Sequence, residues 1–304
     1  MKTENSVIIE EQGLRDGIQN LTQLLSIEQK IHFIDQLVDA GIKRIQIASF
    51  VHPKLVPQMA DAEKLCKLVD KKDGVLYSGL VLNLKGVERA INAGLEHVSC
   101  SISASDTHSQ KNARKTHTEA KAAFVEMVKL CKENNLIARG GIQCAFGCRY
   151  EGMISKRLVL DMVKSHLDTG IDELALADST GMANPRQIEE LMNEVLEQAG
   201  NTPVILHLHN TESKGYANVY AALRSGVRIF DAAFGGLGGC PFIKSATGNI
   251  ATEDTIHMLH QMGYETGIDI NKVAKLSQEM EAFLGHGLQS KMYSLLQKDD
   301  IAII

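Results

Sequence analysis

The feature that most constrains the fold is a recurring unit made of a helical segment, a glycine and a short apolar run. It occurs as DAGIKRIQIAS (39–49), NAGLEHVSCSIS (92–103), DTGIDELALAD (168–178) and RSGVRIFDAAF (224–234). The glycine suits the position just after a helix, where a left-handed backbone ends the helix at little energetic cost. The apolar run that follows is typical of a parallel strand buried on both faces.

These runs and their variants predict eight strands, near 6–11, 44–49, 75–81, 97–103, 138–144, 173–178, 204–209 and 229–233. Amphipathic helical patterns lie between them. Eight alternating strand–helix units predict an α/β fold, a (β/α)8 TIM barrel. A doubly wound open sheet is the alternative, but no GxGxxG follows the first strand. We expect 1–304 to form one domain: a barrel over about 5–265 and a C-terminal helical extension over about 266–304, with an extra helix near 269–284.

Composition narrows the class of protein. The 304 residues are 44% hydrophobic and 23% charged, which suits one α/β barrel or two smaller domains. A net charge of −5 disfavours a nucleic-acid partner. No apolar run approaches the roughly 20 residues that span a bilayer, and the start lacks a signal-peptide layout. The six cysteines are too dispersed for a disulfide framework. We therefore expect a cytoplasmic protein without a membrane partner.

Polar residues gather where the predicted strands end, which is where TIM barrels carry their active sites. They are Glu11, Gln12, Arg15 and Asp16 after strand 1, Gln46 on strand 2, Asp178 on strand 6, and His207 and His209 on strand 7.

His207 and His209 are spaced by two on a strand, so their side chains point to the same face. Alone, such a pair is more often a buried pair bonded to backbone carbonyls. Asp16 at the same rim favours a metal site, which the amide oxygen of Asn249 would complete. This mixed nitrogen and oxygen set suits Mg²⁺ or Mn²⁺, although Zn²⁺ or Co²⁺ could also bind.

The run FGGLGGCPFIKSATGN (234–249) places Cys240 in a glycine-rich loop at the predicted rim. Glycines let the backbone approach a ligand closely. An incidental cysteine in a turn is the bland alternative. A thiol at this position is suited to act as a nucleophile or as a proton donor.

Several segments together resemble the 3-hydroxy-3-methylglutaryl-CoA (HMG-CoA) lyase family, over nearly the whole chain. They are GLGGCPFIKSATGNIATEDTIHML (236–259), LRDGIQN (14–20), ASFVHPKLVPQMAD (48–61), SASDTHSQKN (103–112) and HLHNTESKGYANVYAAL (207–223). The family is part of a wider group of metal-dependent TIM-barrel enzymes that make or break bonds next to carbonyls.

The resemblance implies a function and a set of site residues. It implies an acyl-CoA substrate and cleavage of HMG-CoA to acetyl-CoA and acetoacetate. It also implies that the protein is a homo-oligomer, specifically a dimer. The implied metal ligands are Asp16, His207, His209 and Asn249. The implied catalytic residues are Arg15, which polarises the thioester carbonyl, Cys240, which delivers a proton to the enolate, and Glu11, Asp178 and His207. Glu253 matches a supporting acidic position, and substrate contacts are expected from Arg15, Gln19, Gln46 and Asn112.

Basic residues after strands 2 and 4 are candidates for contact with the CoA phosphates. They are Lys54, Lys111, Arg114 and Lys115. A solvated helix start or loop explains them equally well.

The sequence departs from the family pattern at two positions. Gln46 stands where the family has Glu, and Asn210 stands where it has Asp. A lyase for another branched 3-hydroxyacyl-CoA is therefore an alternative. So is a condensing enzyme similar to isopropylmalate or homocitrate synthases, although those chains are usually longer. An iron oxygenase built on Asp16, His207 and His209 leaves the Cys240 loop unexplained. A non-catalytic metal-binding scaffold is the bland alternative.

Overall fold

A computed structural model describes residues 5–238 and 248–296 of the chain. Within them, eight parallel strands form a closed barrel in which each strand pairs with the next and the eighth pairs with the first. The strands are β1 (Ile8–Glu11), β2 (Arg44–Ser49), β3 (Leu76–Val81), β4 (His97–Ser103), β5 (Ile137–Gln143), β6 (Glu173–Asp178), β7 (Val204–Leu208) and β8 (Ile229–Ala232). The predicted (β/α)8 fold is confirmed, and each predicted strand matches an observed one to within two residues at either end.

Helices surround the barrel and connect its strands. They are α1 (Ile27–Asp39), α2 (Ala62–Leu68), α3 (Leu84–Asn92), α4 (Asp106–Ala113), α5 (His117–Glu133), α6 (Lys156–Asp168), α7 (Pro185–Ala199), α8 (Gly215–Ser225), α9 (Thr252–Gln261), α10 (Ile270–Leu284) and α11 (Met292–Leu295). The predicted extra helix is α10. A short antiparallel hairpin after β5, Gly147–Cys148 with Gly152–Met153, was not predicted. None of the helices in the described ranges is both long and apolar enough to cross a membrane.

The recurring glycines have the backbone conformation that the sequence predicts. Gly41, Gly94, Gly170 and Gly226 have φ of +101°, +75°, +74° and +107°, and each follows a helix and precedes a strand. A side chain there would be strained, and at Gly41 a Cβ would also lie 2.3 Å from the carbonyl oxygen of Gly267. These positions therefore stop each helix and return the chain to the barrel.

The barrel interior carries a buried ionic layer at the amino-terminal ends of the strands. Arg44 donates to Glu10 at 2.8 Å and to both carboxylate oxygens of Glu173 at 2.8 and 2.7 Å. Arg139, which is 1% exposed, pairs with the same two glutamates. Burial opposes the ionisation of Glu10, but Arg139 and Arg44 outweigh it and lower its pKa to about 2. The layer thus closes one end of the barrel, and the cavity described below opens at the other.

Candidate active site

The candidate site is a cavity of about 430 Å³ at the carboxyl-terminal ends of the strands. It is lined by Arg15, Asp16 and Gln19 after β1, by Gln46 on β2, and by His207 and His209 at the end of β7. It reaches down to Arg139 and Asp231, next to the ionic layer. The position agrees with the rim predicted from the strand ends.

Asp16, His207 and His209 come together as a group that could hold a metal ion, their ligand atoms all within 4.8 Å of one another. Asp16 Oδ2 lies 3.6 Å from His209 Nε2 and 4.0 Å from His207 Nε2. The two Nε2 atoms lie 3.0 Å apart. Alternate residues of a strand share one face, which is why both imidazoles enter the barrel. Three of the four predicted ligands therefore converge.

Asn249 lies beside this group and fits the fourth ligand position. It forms an isolated antiparallel bridge with His209, and its Nδ2 donates to Asp16 Oδ2 at 2.9 Å and to the carbonyl of Leu237 at 3.0 Å. Its Oδ1 is buried and has no hydrogen-bond partner in the described ranges. A buried amide oxygen without a partner next to a carboxylate and two imidazoles is a donor set that suits a divalent cation.

Arg15 projects from a π-helical turn, Gly13–Gly17, and is 8% exposed. Its Nε donates to Gln46 Oε1 at 2.5 Å, its Nη2 donates to Gln12 Oε1 at 2.7 Å, and its Nη1 pairs with Asp16. Burial raises the pKa of Asp16, but Arg15 and the two histidines outweigh burial and hold it well below its ordinary value. Arg15 is therefore surrounded by two neutral amides and one carboxylate. Its guanidinium places a positive charge at the cavity wall.

The three predicted acidic positions are buried and mainly bind backbone groups. Asp178 accepts from the amides of Met182 and Ala183 at 3.0 and 3.1 Å. Burial raises its pKa to about 6, against the opposing charge of His209. Neither Asp178 nor Glu11 is among the cavity-lining residues of the described ranges. Their predicted catalytic roles stay predictions.

Glu11 and Glu253 fix the segments around the site. Glu11 accepts from the amides of Gly13 at 2.7 Å and Phe234 at 3.0 Å, and from the Thr252 hydroxyl at 2.6 Å. Both oxygens of Glu253 lie within 3.1 Å of the Gly235 amide. Burial raises the pKa of Glu11 to about 7 and that of Glu253 to about 8. Together they anchor the Arg15 turn, the start of the cysteine loop and the start of α9.

Cys240 lies outside the described residues, as does the rest of 239–247. The residues on either side of this segment border the metal group. Asn249 donates its amide to the carbonyl of Leu237 at 3.3 Å, and the Asn210 amide donates to the carbonyl of Gly248 at 3.0 Å. The predicted role of Cys240 stays a prediction.

The predicted substrate-contact residues Gln19, Gln46 and Asn112 line the same cavity as Arg15. Lys111 also lines it, and its Nζ lies 5.0 Å above the ring of Tyr150. Lys54 is on an exposed loop, and Lys115 borders a smaller neighbouring cavity. Among the basic residues named above, Lys111 is therefore the best placed to reach a bound ligand.

The two departures from the family pattern differ in their surroundings. Gln46 is 1% exposed and contacts Arg15 at the cavity. Asn210 Oδ1 accepts from the amide of Gly215 at 2.9 Å at the start of α8, a contact that an aspartate would also make. Of the two departures, Gln46 is therefore the one that lies at the cavity.

The sequence analysis missed one residue of the site. Asp231 Oδ2 lies 3.1 Å from His207 Nδ1. Asp231 is a carboxylate in the middle of the apolar eighth strand. Burying a charge without a partner costs roughly several kcal/mol, so a lone aspartate in a buried strand indicates a partner inside the barrel. This pattern in the sequence could have identified Asp231.

The fold and the site together define a TIM-barrel enzyme with a group suited to a divalent metal at its rim. Comparison with known proteins makes the assignment specific. The HMGL-like family model matches residues 6–280, and the chain belongs to that family.

Similar proteins are lyases that act on CoA thioesters, by their names. The chain is 36% identical over 291 residues to hydroxymethylglutaryl-CoA lyase YngG of Bacillus subtilis, covering 96% of this chain and 97% of that one. It is 38% identical over 293 residues to (R)-citramalyl-CoA lyase of Chloroflexus aurantiacus, covering 93% and 92%. A structure of an HMG-CoA lyase from Acinetobacter baumannii, in complex with coenzyme A and 3-methylmalate, matches with a TM-score of 0.94 at 38% identity, covering 100% of this chain and 99% of that one.

Proposed function

We propose that the protein cleaves HMG-CoA to acetyl-CoA and acetoacetate by a metal-assisted retro-Claisen reaction. The observation that carries the proposal is the convergence of Asp16, His207 and His209 beside Arg15 at one cavity. Relatives named as HMG-CoA lyases support it. The ligand set, with Asn249, favours Mg²⁺ or Mn²⁺.

The chain's own residues account for most of the chemistry. Asp16, His207, His209 and Asn249 would hold a divalent metal, which would supply Lewis-acid chemistry that lowers the pKa of the substrate hydroxyl. Asp178, whose pKa is raised to about 6 by burial, is the candidate base for the hydroxyl proton. As the C2–C3 bond breaks, C3 becomes a ketone and the electron pair passes into the thioester enolate, which the Arg15 guanidinium stabilises. Cys240 then delivers a proton to C2, which completes acetyl-CoA.

A second candidate substrate is (R)-citramalyl-CoA, whose carbinol carbon carries a carboxylate directly. The observation that favours it is the environment of Arg15. The neutral amides of Gln12 and Gln46 leave more of the positive charge of Arg15 uncompensated than carboxylates at these positions would, and this charge can attract the substrate carboxylate. The (R)-citramalyl-CoA lyase of Chloroflexus aurantiacus, at 38% identity, supports it as well.

Incubating the protein with each thioester, in Mg²⁺, in Mn²⁺ and after chelation, tests the proposal. HMG-CoA should give acetoacetate and acetyl-CoA, whereas citramalyl-CoA would give pyruvate and acetyl-CoA. His207→Ala and Asp16→Ala should fold normally, judged by circular dichroism, and lose both turnover and bound metal. If neither thioester is cleaved, the lyase proposal falls, and full metal content in both variants would refute the ligands.

The remaining expectations concern assembly and location. We propose a homodimer, on the family resemblance, and a cytoplasmic location, on the composition and the dispersed cysteines. Light scattering after size exclusion tests the first, because a dimer doubles the 33.3 kDa mass of one chain.

A further inference from the structure

We propose that Asp231 is a positioning residue that sets the ring orientation and the tautomer of His207. It holds the hydrogen on Nδ1, so that the Nε2 lone pair faces Asp16 and His209. The proposal rests on the metal site of the proposed function, but not on the identity of the thioester.

The strand register brings the two residues together. β7 and β8 are neighbours in the barrel, and His207 and Asp231 are paired positions in their parallel register. Both side chains point into the barrel, where His207 is 7% and Asp231 is 4% exposed. Asp231 Oδ2 lies 3.1 Å from His207 Nδ1. Asp231 therefore contacts the ring nitrogen on the side away from the metal group.

This contact decides which nitrogen is available to a cation. A carboxylate can only accept hydrogen bonds, so its neutral imidazole partner must carry the hydrogen on Nδ1. The other nitrogen, Nε2, then has a free lone pair, and it lies 4.0 Å from Asp16 Oδ2. Partners of this kind orient metal-binding histidines and raise their basicity.

His209 lacks the corresponding support. Its Nδ1 is buried and has no hydrogen-bond partner among the residues that the structure describes. The two imidazoles are thus inequivalent: His207 has a carboxylate partner at Nδ1 before a metal binds, whereas the described neighbours of His209, which are Asp16 and His207, lie at its Nε2.

Asp231 is itself held by a cation. Arg139 Nη1 lies 3.8 Å from Asp231 Oδ1, and Arg139 is fixed by Glu10 and Glu173 of the ionic layer. The charge of Asp231 is therefore compensated from below, and its second oxygen stays directed at His207. The ionic layer in this way extends to the metal group.

The first test is a measurement on the metal-free, full-length chain. With ¹⁵N-labelled histidine, at an alkaline pH where imidazoles are neutral, the nitrogen chemical shifts report the tautomer of His207, assigned with a His207→Gln variant. We expect the form with hydrogen on Nδ1. The form with hydrogen on Nε2 would overturn the proposal, independently of the results for the variants described next.

The second test compares Asp231→Asn with a matched control, Glu63→Gln. An amide at 231 can donate as well as accept, so the tautomer should become mixed and Mn²⁺ affinity should fall by about 10- to 100-fold, measured by electron paramagnetic resonance. Glu63→Gln removes a carboxylate that pairs with Arg89, away from His207, Arg139 and the cavity, so it should leave the tautomer and Mn²⁺ affinity unchanged.

The outcomes separate this proposal from the proposed function. Equal effects of the two variants on tautomer and Mn²⁺ affinity would overturn the role of Asp231. Wild-type protein that binds Mn²⁺ with the expected tautomer but cleaves neither thioester would contradict the proposed reaction and support the role of Asp231.

Discussion

Gln46, which stands where the family resemblance implies Glu, lines the cavity of the candidate site. Its amide oxygen accepts from Arg15 Nε at 2.5 Å, and it is 1% exposed. In a partly desolvated pocket, a carboxylate interacts with a metal and a guanidinium far more strongly than an amide does.

Gln46→Glu should therefore shift activity between the two candidate thioesters. We expect it to raise kcat/KM for HMG-CoA by about tenfold, which corresponds to about 1.4 kcal/mol of transition-state stabilisation, and to lower kcat/KM for (R)-citramalyl-CoA. Steady-state kinetics of both proteins on both substrates measure the change. If kcat/KM for HMG-CoA is no higher in the variant than in the wild type, HMG-CoA is not the substrate that this pocket fits.

Cys240 should affect proton transfer and not folding. Cys240→Ser should lose roughly 10²–10⁴-fold in rate, the usual effect of removing a general acid, with an unchanged melting temperature. Cys66→Ser is the contrasting control, because Cys66 is buried in α2 away from the cavity. It should lower the melting temperature and keep the rate. Wild-type turnover in Cys240→Ser would refute the thiol's role.

At the scale of elements, the Arg15 turn and the base of the cysteine loop are packed directly against each other. A Cβ added at Gly17 would lie 2.8 Å from the Cβ of Leu237, a contact that no rotamer change relieves. Glu11 also links the two segments through the amides of Gly13 and Phe234. The position of Asp16 therefore depends on this glycine.

Gly17→Ala should destabilise the protein by about 1–3 kcal/mol, as other over-packed sites do, and weaken Mn²⁺ binding because Asp16 moves with the turn. Gly287→Ala is the matched control, since the nearest atom to its added Cβ lies at 3.5 Å. Denaturant unfolding and Mn²⁺ titration of both variants measure the effects. Equal losses in the two would contradict the packing argument.

Periodicity in the sequence was enough to predict the barrel, because buried parallel strands and the glycines that precede them carry local signals. The same rule located Asp16, His207 and His209, since the strand ends meet at one rim. It could not predict Asp231, whose role depends on which side chain it meets across the barrel. Nor did it predict the Gly147–Met153 hairpin, which is too short to show a period.

At the scale of the whole molecule, buried carboxyl groups make stability depend on pH. Burial raises the pKa of Glu11 to about 7 and of Glu253 to about 8, from 4.5. The folded state then holds protons that the unfolded chain releases above about pH 4.5. That stabilisation is complete below about pH 4.5 and is lost as the pH rises through 7 and 8. Glu10, whose pKa is lowered to about 2, has the opposite effect on stability: its contribution is present above about pH 4.5 and is lost as the pH falls towards 2.

The melting temperature should therefore fall between about pH 5 and about pH 8.5, and Glu253→Gln should make this decline shallower, because the amide has no proton to lose. Glu189→Gln, on an exposed position of α7, controls for the loss of a carboxylate. Thermal unfolding followed by circular dichroism across this range measures the slopes. Parallel curves for wild type and Glu253→Gln would show that Glu253 does not cause the decline.

The closure of the barrel between β1 and β8 has a consequence for biosynthesis. Asp16 and Asn249 are in contact but are 233 positions apart in the chain. A ribosome therefore releases Asp16 long before the segment that completes its surroundings emerges from the exit tunnel. Throughout that interval the first strand can pair with β2 but lacks its partner β8, and the metal group cannot assemble, so a cation can bind the finished site only late in translation or after it.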